Sequence, residues 1–381
     1  MSGAATEGIT VVIAGGGYGG HVYPAVAVAE AMLEDPEIAA VYYVGCPDEM
    51  EERLVRGRYA IPFLDVRVSE MPRELSPRLV PWAAQLPGAL WGSVGHLRRV
   101  APDVVLGTGA FVSGPVLLAA LLLRIPFVAH DADVEPGLVS RLMAPFARKM
   151  TIAYEEARAK LFARSFELTG NPMRAVFTRR RLEKAEARRQ LGLQQDRATV
   201  LAIGGSRGSL PINDAVAAAA LPMIDQLGVQ LIHQTGERGW QRHRELLERS
   251  YPALLEHDAY VNLPYLDDVS LSLSAADLVV SRAGSLSISE FNMHGLPAIL
   301  VPQSNADQDH QRFNARALAA RGAAVYQEES ELDGPTLLRL VGGLLGDEER
   351  LEAMSRATRA LFRPDATARI VEIVKAVARR R

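Results

Sequence analysis

Hydrophobic and polar residues follow two alternating patterns along most of the chain. Short apolar runs, such as Ile9–Ala14 and Thr199–Ile203, are followed by longer segments with apolar residues at helical spacing. The short runs are typical of buried parallel strands, and the longer segments are typical of helices that cover a sheet. The pattern therefore predicts an α/β protein built on parallel sheets.

Ten short apolar runs carry the strand pattern. They cover residues 9–14, 41–44, 63–66, 104–106 and 127–129 in the first half, and residues 199–203, 229–233, 259–263, 278–280 and 298–301 in the second. In each half the first run leads into a glycine-rich turn and then a helix, which predicts two similar domains with a boundary near residues 171–181. The charged segment 178–191 is predicted to be a helix with a solvated face, and residues 335–381 are predicted to be helical.

Residues 278–314 contain the pattern with the clearest chemical meaning. An apolar strand breaks at Gly284, a helix covers residues 285–294, and a second strand follows. Gly284 permits a tight turn, and the hydroxyl groups of Ser285 and Ser287 are able to cap the helix start. The N–H groups and the dipole at a helix start form a favourable site for a phosphate or diphosphate.

Two polar side chains accompany this helix start. Glu290 lies one to two turns into the helix, where its carboxylate can reach ribose hydroxyls while a diphosphate sits at the helix start. Gln311 follows the next strand and carries an amide that can bind sugar hydroxyls. Taken singly, these features are a structural turn and a solvated glutamate. Their order predicts a nucleotide-sugar site.

The first glycine-rich loop reads Gly15-Gly16-Gly17-Tyr18-Gly19-Gly20-His21 and leads into a helix predicted to start near Pro24. Such a loop brings backbone N–H groups close to a phosphate. The chain lacks the acidic residue that follows the second strand in NAD enzymes, and the loop lacks the Lys-Ser/Thr of a P-loop. His21 lies where the helix dipole disfavours its protonated form. A neutral, proton-accepting imidazole is therefore one interpretation, and a capping or packing histidine is the other.

Three further polar residues of the first half follow strand ends. Thr108 lies in a second glycine-rich turn, and His130 and Asp133 follow the last predicted strand of this half. In an open parallel sheet the carboxyl ends of the strands face the ligand site. We therefore expect Thr108, His130 and Asp133 to share one rim with His21, and we expect Asp131 to cap a loop.

Composition excludes several classes of function. The 381 residues carry a formal net charge of −3, which gives no general attraction to nucleic acid. Cys46 is the single cysteine, which excludes an internal disulfide and a cysteine-rich metal site and fits a reducing compartment. The N-terminus lacks the basic region of a signal peptide, and the most apolar segment, 116–128, is too short to cross a bilayer. We therefore expect a cytoplasmic, soluble protein that is able to touch a membrane.

Segment 75–99 combines apolar and aromatic residues with arginines. Trp82 and Trp91 lie among leucines, and arginines such as Arg78 and Arg98 flank them. An interfacial segment that docks on anionic lipid has this composition. A core helix that is interrupted by prolines and has basic ends shares it, and both interpretations stay open.

Eight motifs, taken in order, resemble those of the MurG glycosyltransferases over nearly the whole chain. They are Gly19-Gly20-His21, residues 108–114, His130 with Pro136-Gly137, Gly170-Asn171-Pro172 with Arg174, Gly204-Gly205-Ser206-Arg207-Gly208, residues 282–290, Gly295-Leu296-Pro297-Ala298, and Asp309-His310-Gln311 with Asn314-Ala315. Each motif alone is weak, but eight in order form a specific match. MurG enzymes transfer N-acetylglucosamine (GlcNAc) from UDP-GlcNAc to undecaprenyl-diphosphate-linked muramoyl-pentapeptide.

The resemblance implies an α/β fold of GT-B type, in which two Rossmann-like domains face an interdomain cleft. It implies an acceptor-binding, membrane-associating domain at 1–172, a UDP-GlcNAc-binding domain at 173–350, and a C-terminal helix within 351–381 that returns to the first domain. It also implies that the backbone of Leu266 meets uracil and that Glu290 binds the ribose hydroxyls. The other implied donor contacts are Arg174, Ser206, Ser285, Leu286 and Ser287 at the diphosphate, and His310 and Gln311 at the GlcNAc hydroxyls.

The implied acceptor contacts surround the first glycine loop. They are Gly16, Gly17, Tyr18, Gly19, Gly20, Thr108 and His130. The family inverts the anomeric carbon and forms a β-1,4 bond without a cofactor or a required metal, on the inner face of an anionic membrane. His21 is then the first candidate for the general base, and Asp133 is the second.

Two departures from the family lie on the acceptor side. The first loop has one additional residue and contains Tyr18, and Asp133 replaces an asparagine. A carboxylate close to two diphosphates is repelled unless it is protonated or acts as a base. The donor side therefore matches the family more closely than the acceptor side does.

Three other functions stay open. A UDP-GlcNAc 2-epimerase has a similar fold and acts without an acceptor. A glycolipid synthase acting on diacylglycerol shares the donor half and a basic, apolar segment. A binding or scaffold protein holds UDP-GlcNAc without turnover, and only the altered Asp133 favours it.

Overall fold

The computed structural model describes residues 8–17, 19–72, 77, 79–174, 182–205, 208–304 and 309–379. The chain divides into two compact units. Met1–Ala175 and Arg363–Arg381 form the first unit, and Val176–Phe362 forms the second. Each unit contains a parallel sheet, in agreement with the strand pattern of the sequence.

The first unit is built on a sheet whose described strands run parallel in the order β3-β2-β1-β4-β5-β6-β7. The strands are β1 (Ile9–Ala14), β2 (Ile38–Gly45), β3 (Phe63–Asp65), β4 (Val104–Gly107), β5 (Phe127–Asp131), β6 (Lys149–Ile152) and β7 (Phe166–Leu168). The sequence pattern missed β6 and β7. Strand β6 begins with Lys149 and β7 contains Glu167, so neither is a continuous apolar run.

Helices cover this sheet on both faces. They are α1 (Gly19–Leu33), α2 (Met50–Arg58), α3 (Leu79–Val100), α4 (Ala110–Leu122) and α5 (Leu138–Met143). Side chains alternate along β1, so that Val12 packs with the residues of α3 and α4, whereas Val11 packs with those of α1. The first helix starts at Gly19, ahead of the predicted start near Pro24, because glycine is a weak helix former and gave no helical signal.

The second unit repeats this plan with the strand order β10-β9-β8-β11-β12-β13. Its strands are β8 (Thr199–Ile203), β9 (Gln230–Gln234), β10 (Tyr260–Leu263), β11 (Leu278–Ser281), β12 (Ala298–Leu300) and β13 (Ala324–Tyr326). Its helices are α6 (Lys184–Gln190), α7 (Leu210–Leu227), α8 (Glu237–Ser250), α9 (Val269–Ala275), α10 (Ser285–His294), α11 (His310–Ala320), α12 (Gly334–Leu345) and α13 (Glu348–Leu361). Strand β13 was missed because it lies at the edge of the sheet and two of its three residues are only half-buried.

The charged segment 178–191 differs from its prediction. Its helix, α6, begins only at Lys184, after an extended Glu183, and residues 178–181 lie outside the described part. The charge run is not wholly solvated, because the Arg188 side chain is buried and forms an ion pair with Asp277. Arg188 also donates from Nε to the carbonyl oxygen of Ala275 at 3.0 Å, so it fastens α6 to the end of α9.

The last helix, α14 (Ala366–Val377), belongs to the first unit. Its buried Ile370 and Val374 join the core formed by β1 and α1, and Lys375 forms ion pairs with Asp35 and Glu37. The returning C-terminal segment was expected to begin at residue 351, which is earlier in the chain than the structure shows. Helix α13 packs on α10 and α12 and stays with the second unit, so the returning segment begins at Arg363.

The expected boundary between residues 172 and 173 also differs from the boundary in the structure, where the first unit extends to Ala175. Met173 exchanges backbone hydrogen bonds with the Thr367 hydroxyl group of α14, at 3.0 Å in both directions. Residues 173 and 174 therefore lie in the first unit, although 173 was expected to open the second domain.

Each sheet contains one position where the chain reverses the direction in which strands are added. In the first unit β1 lies between β2 and β4, and in the second β8 lies between β9 and β11. Loops diverge at the carboxyl ends of such strand pairs and leave a crevice where ligands bind in open α/β sheets. We call these positions the first and the second switch point. No helix in the described part of the chain is long and apolar enough to cross a membrane.

Candidate active site

The glycine loop after β1 lies at the first switch point. The Tyr43 hydroxyl group donates to the carbonyl oxygen of Gly15 at 2.9 Å. The buried Glu51 carboxylate accepts a hydrogen bond from Gly17 N at 3.3 Å and another from Cys46 N at 3.0 Å. Burial raises the pKa of Glu51. The side chains of Tyr43 and Glu51 therefore hold the backbone of the loop in place through hydrogen bonds.

His21 lies on the first turn of α1 and is locked against the loop after β4. Its Nδ1 lies 3.0 Å from the carbonyl oxygen of Thr108, and the Thr108 hydroxyl group donates to the carbonyl oxygen of His21 at 2.8 Å. A carbonyl oxygen only accepts, so Nδ1 carries the proton and Nε2 of the neutral ring keeps its lone pair. A Cβ at Gly109, whose φ is +94°, would lie 2.7 Å from Nδ1, so this close approach requires glycine.

His130 lies in β5, one residue before the strand ends, and is buried, with 1% of its surface exposed. Its Nε2 lies 3.2 Å from Asn171 Oδ1, and its Nδ1 lies 3.1 Å from the Thr151 hydroxyl oxygen. Burial lowers the pKa of His130 to about 4. Both ring nitrogens therefore have partners inside the unit, through which His130 supports the rim.

Asp131 caps the loop after β5, as the sequence predicted. Its carboxylate accepts hydrogen bonds from Asp133 N at 3.1 Å and from Gly137 N at 3.2 Å. Burial and the nearby Asp133 carboxylate raise the pKa of Asp131. The structure thus brings His21, Asp131 and Asp133 within electrostatic reach of one another, with Asp133 half-buried at the rim.

Arg174 was assigned to the donor side by the family resemblance. Its guanidinium carbon lies 4.6 Å from the centroid of the Tyr23 ring on α1, which is cation–π geometry. Tyr23 follows His21 by two residues on α1, so its contact with Arg174 places the guanidinium group next to the first switch point. A cation at this position can stabilise a diphosphate close to the proposed base.

The start of α10 lies at the second switch point, directly after β11. Gly284 occupies the N-cap position, so the predicted capping by Ser285 and Ser287 does not occur. Ser285 is buried and its carbonyl oxygen accepts from the Ser289 hydroxyl group at 2.9 Å, whereas Leu286 and Ser287 are half-buried. A glycine N-cap has no side chain to cover the first helical N–H groups, which suits a site for an anion.

Two buried side chains hold the loop before α10. Asn314 donates from Nδ2 to the carbonyl oxygen of Ala283 at 3.2 Å. Arg282 donates to the carbonyl oxygen of Val301 at 3.1 Å and forms an ion pair with Glu329. The helix start is therefore held in place relative to β12.

The remaining predicted donor residues surround the same end of the sheet. Glu290 is half-buried on α10, and Leu266, 5% exposed, lies in the loop after β10. His310 opens α11, and the Gln311 Oε1 accepts a hydrogen bond from Gln303 N at 3.1 Å, which orients its amide. Tyr18 and Ser206, also predicted as site residues, lie outside the described residues.

Across the described ranges, no group of three or more His, Cys, Asp or Glu side chains is arranged to hold a metal ion. The start of α10 and the guanidinium group of Arg174 supply positive charge at the two switch points. This set of groups can bind a diphosphate and accept a proton.

Comparisons with known proteins place this chain in a family. The model of the glycosyltransferase family 28 N-terminal domain matches residues 11–152, and that of the C-terminal domain matches residues 199–370. A relative from Desulforudis audaxviator is 37% identical over 369 residues, covering 97% of this chain and 98% of the relative. It is named UDP-N-acetylglucosamine--N-acetylmuramyl-(pentapeptide) pyrophosphoryl-undecaprenol N-acetylglucosamine transferase. A relative from Halothermothrix orenii with the same name is 36% identical over 97% of this chain and 99% of its own length.

The chain belongs to the MurG family.

Solved structures agree with this membership. The crystal structure of Acinetobacter baumannii MurG matches with a TM-score of 0.74 and 26% identity, over 97% of this chain and 99% of that one. A UDP-GlcNAc 2-epimerase from Neisseria meningitidis matches with a TM-score of 0.66 and 12% identity over 96% of this chain and 99% of that one, which shows a shared fold alone. The predicted GT-B class is confirmed: both units are parallel-sheet α/β domains of the kind found in MurG.

Several residues around the two switch points were not found from sequence. Glu51 and Gln234 were not predicted as site residues, and Asn314 was named only within a family motif, with no role assigned to it. Each acts through hydrogen bonds to backbone groups that are distant in sequence. Residue type and spacing carry no signal for such contacts, so only the fold reveals them.

Proposed function

We propose that this chain transfers GlcNAc from UDP-GlcNAc, with inversion, to lipid-linked muramoyl-pentapeptide on the peptidoglycan pathway. The observation that carries the proposal is the match of about the full chain length to relatives that share this one activity in their names. The two switch points supply the required chemistry: an anion site at a helix start in the second unit, and a histidine with an available lone pair in the first.

The donor nucleotide binds at the second switch point. The diphosphate accepts hydrogen bonds from the N–H groups at the start of α10, where Ser285, Leu286 and Ser287 lie, and from Ser206. Glu290 lies five residues beyond Ser285, about 7.5 Å along the helix axis, and accepts from the ribose hydroxyls. The backbone of Leu266 meets uracil, and His310 and Gln311 bind the GlcNAc hydroxyls.

The acceptor binds at the first switch point. The glycine loop holds its diphosphate through the backbone of Gly16, Gly17, Gly19 and Gly20, with Tyr18 beside them. Thr108 and His130 keep this rim in shape through the contacts described above. Asp133, at the same rim, faces the sugar at the reacting centre.

The reaction is a direct displacement in which the acceptor hydroxyl oxygen attacks the anomeric carbon of GlcNAc. His21 Nε2 takes the hydroxyl proton, the new β-glycosidic bond forms, and the bond from the anomeric carbon to the UDP oxygen breaks. UDP leaves with the electron pair. The α10 start and Arg174 stabilise the negative charge that develops on the diphosphate, and preorganised groups of this kind act without a metal.

A UDP-release assay tests the function directly. The purified chain is given UDP-GlcNAc alone, with lipid-linked muramoyl-pentapeptide, and with diacylglycerol. We expect UDP to appear only with the muramoyl acceptor. Release with diacylglycerol alone identifies a glycolipid synthase, and conversion of UDP-GlcNAc without an acceptor identifies an epimerase. Either result contradicts the proposal.

We also propose that α3 and α4 carry the surface that rests on the inner face of an anionic membrane. The two helices pack together, and Val80, Trp91, Leu118 and Leu122 on them are exposed, with 69% of Trp91 accessible. Exposed basic side chains, Arg98 and Arg99 on α3 and Arg124 after α4, accompany them. Apolar side chains flanked by arginines bind the headgroup region of anionic bilayers.

Some side chains of segment 75–99 lie in the core and others lie on the surface. Ala89, Val94 and Leu97 are buried in the core, and Trp82 donates from its indole nitrogen to the carbonyl oxygen of Ser69 at 3.0 Å. Only the opposite face of α3, which bears Trp91, is available to lipid. Part of the segment is thus a core helix, as the alternative interpretation held.

Substitution of Trp91 tests the membrane surface. Burying a large apolar side chain contributes about 1.5–3 kcal/mol, so we expect Trp91→Ser to reduce binding to phosphatidylglycerol vesicles by roughly tenfold or more. Phe162→Ser is the matched control, because Phe162 is 85% exposed in the same unit but lies on neither helix. Co-sedimentation measures the bound fraction. Equal losses for the two variants would place the membrane contact elsewhere.

A further inference from the structure

Gln234 lies where two loops of the second switch point come together. It is the last residue of β9, and in the parallel register it is level with Ile203 on β8 and with Leu263 on β10. Ile203 leads into the glycine turn that begins at Gly204, and Leu263 leads to Leu266. Only 2% of Gln234 is exposed. The side chain is thus enclosed between the loop proposed to hold the diphosphate and the loop proposed to meet uracil.

The side-chain amide joins the two loops. Gln234 Nε2 donates to the carbonyl oxygen of Gly205 at 3.2 Å and to that of Pro264 at 3.4 Å. A carboxamide nitrogen carries two hydrogens, so one side chain can hold both carbonyl groups at once. The distance between the two loops is therefore set by one rigid planar group.

The backbone next to Gln234 is held equally firmly. Asn213 on α7 donates from Nδ2 to the carbonyl oxygen of Thr235 at 2.9 Å, and its Oδ1 lies 3.1 Å from His233 Nε2. A Cβ at Gly208 would lie 2.0 Å from the same Thr235 oxygen, so only glycine lets the turn approach this backbone. With its backbone fixed, the Gln234 amide cannot follow a displaced loop.

The oxygen of the same carboxamide is buried. Within the described part of the chain it accepts no hydrogen bond. Buried amide oxygens are nearly always paired, because an unpaired one bears its full desolvation cost. This oxygen lies between the two loops that are proposed to bind the nucleotide.

We propose that Gln234 is a positioning residue for the donor nucleotide, which sets the spacing between the loop at the diphosphate and the loop at the uracil. The proposal rests on the proposed function, and it adds a residue that the family resemblance did not imply. Gln234 acts on donor binding through Gly205 and Pro264, and takes no part in the transfer step itself.

The Gln234→Met variant tests the proposal, because methionine keeps the length and volume of the side chain and removes both donors. We expect the KM for UDP-GlcNAc to rise about tenfold or more, as loss of two hydrogen bonds to a binding site predicts. The kcat at saturating donor should change less than about threefold, and the acceptor KM should stay unchanged, because only binding of the donor is affected. Steady-state kinetics measure the kcat and the two KM values, and calorimetry measures the affinity for UDP.

Gln230→Met is the matched control. Gln230 lies at the opposite end of β9, is 1% exposed, and donates from Nε2 to Gln194 O at 2.8 Å and to Thr199 Oγ1 at 2.9 Å. We expect Gln230→Met to lower Tm at least as much as Gln234→Met, while the donor KM stays within about twofold of wild type, because it is remote from the loops. Equal rises of KM in both variants would reduce Gln234 to a purely structural role.

A second variant keeps the test available if Gln234→Met does not fold. In Gln234→Glu an oxygen replaces Nε2 and faces two carbonyl oxygens, and only the protonated carboxyl group can donate to one of them. We expect its donor KM to fall as the pH is lowered from about 8.5 to about 6, relative to wild type, because burial favours the protonated form. A pH-independent ratio overturns the proposal. Failure of the wild-type chain to bind UDP-GlcNAc would instead overturn the proposed function.

Discussion

The His21→Ala variant is expected to lose about 10²–10⁴-fold in kcat, which is the usual contribution of a general base. Nδ1 of this ring faces the carbonyl oxygen of Thr108 at 3.0 Å, so the proton resides on Nδ1 and Nε2 is left to accept another. The KM for UDP-GlcNAc should change little, because the donor is proposed to bind at the other switch point. Initial rates of UDP release at saturating substrates measure the loss.

His21→Asn separates catalysis from packing. The asparagine Nδ2 can replace Nδ1 as the donor to Thr108, but no group then replaces the Nε2 lone pair. We expect this variant to be as slow as His21→Ala while its Tm stays close to wild type. Near wild-type turnover of both variants, together with an inactive Asp133→Ala variant, would make Asp133 the base and reverse the assignment.

The Glu290→Ala variant is expected to raise the KM for UDP-GlcNAc by about 10–100-fold, because hydrogen bonds to a charged group contribute about 1.5–3 kcal/mol. Glu290 is half-buried on α10, one to two turns beyond the Gly284 N-cap, where a carboxylate reaches a ribose whose diphosphate lies at the helix start. The kcat at saturating donor should be retained within about threefold, since the ribose does not react.

A donor that lacks the ribose 2′-hydroxyl makes this test specific. The wild-type enzyme should bind 2′-deoxy-UDP-GlcNAc more weakly than UDP-GlcNAc, and Glu290→Ala should bind the two donors about equally, because the contact is already lost. Glu290→Gln keeps an acceptor oxygen and should fall between wild type and Glu290→Ala. If Glu290→Ala still distinguishes the two donors as well as wild type does, Glu290 does not bind the ribose.

The sequence predicted most of the fold because both sheets are parallel and buried on both faces. Their strands are continuous apolar runs such as Ile9–Ala14 and Leu278–Ser281, each followed by a glycine turn, and this pattern leaves little ambiguity. The same pattern locates the carboxyl ends of the strands, and hence the residues of the two switch points. Strands β6 and β7 were missed because each carries a charged residue, and β13 was missed because it is a partly exposed strand at the edge of its sheet.

Side-chain orientation was harder to predict than position. His130 stands at a strand end, as expected, yet it is buried between Thr151 and Asn171, because a strand end can face the core as well as the rim. Ser285 and Ser287 were expected to cap α10, but Gly284 takes the N-cap position. The residue types thus predicted where the helix starts, but they predicted the wrong N-cap residue.

Asp133 is one of the two positions at which the chain is expected, from its sequence, to depart from the family pattern. It stands half-buried beside Asp131, whose pKa is raised by burial and by the Asp133 charge. The backbone N–H of Asp133 is fixed by the Asp131 carboxylate, so the side chain projects from a rigid loop. Compared with an asparagine, a carboxylate at this position adds a negative charge at the proposed acceptor site. The second unit, where the donor is proposed to bind, does not contain Asp133.

A crystal structure of this chain with UDP-GlcNAc is the most direct test of the central claim, which is that the second unit holds the donor. We expect the diphosphate at the start of α10, the ribose beside Glu290 and the uracil at Leu266. A nucleotide bound at the glycine loop after β1 instead would contradict the assignment of donor and acceptor to the two units.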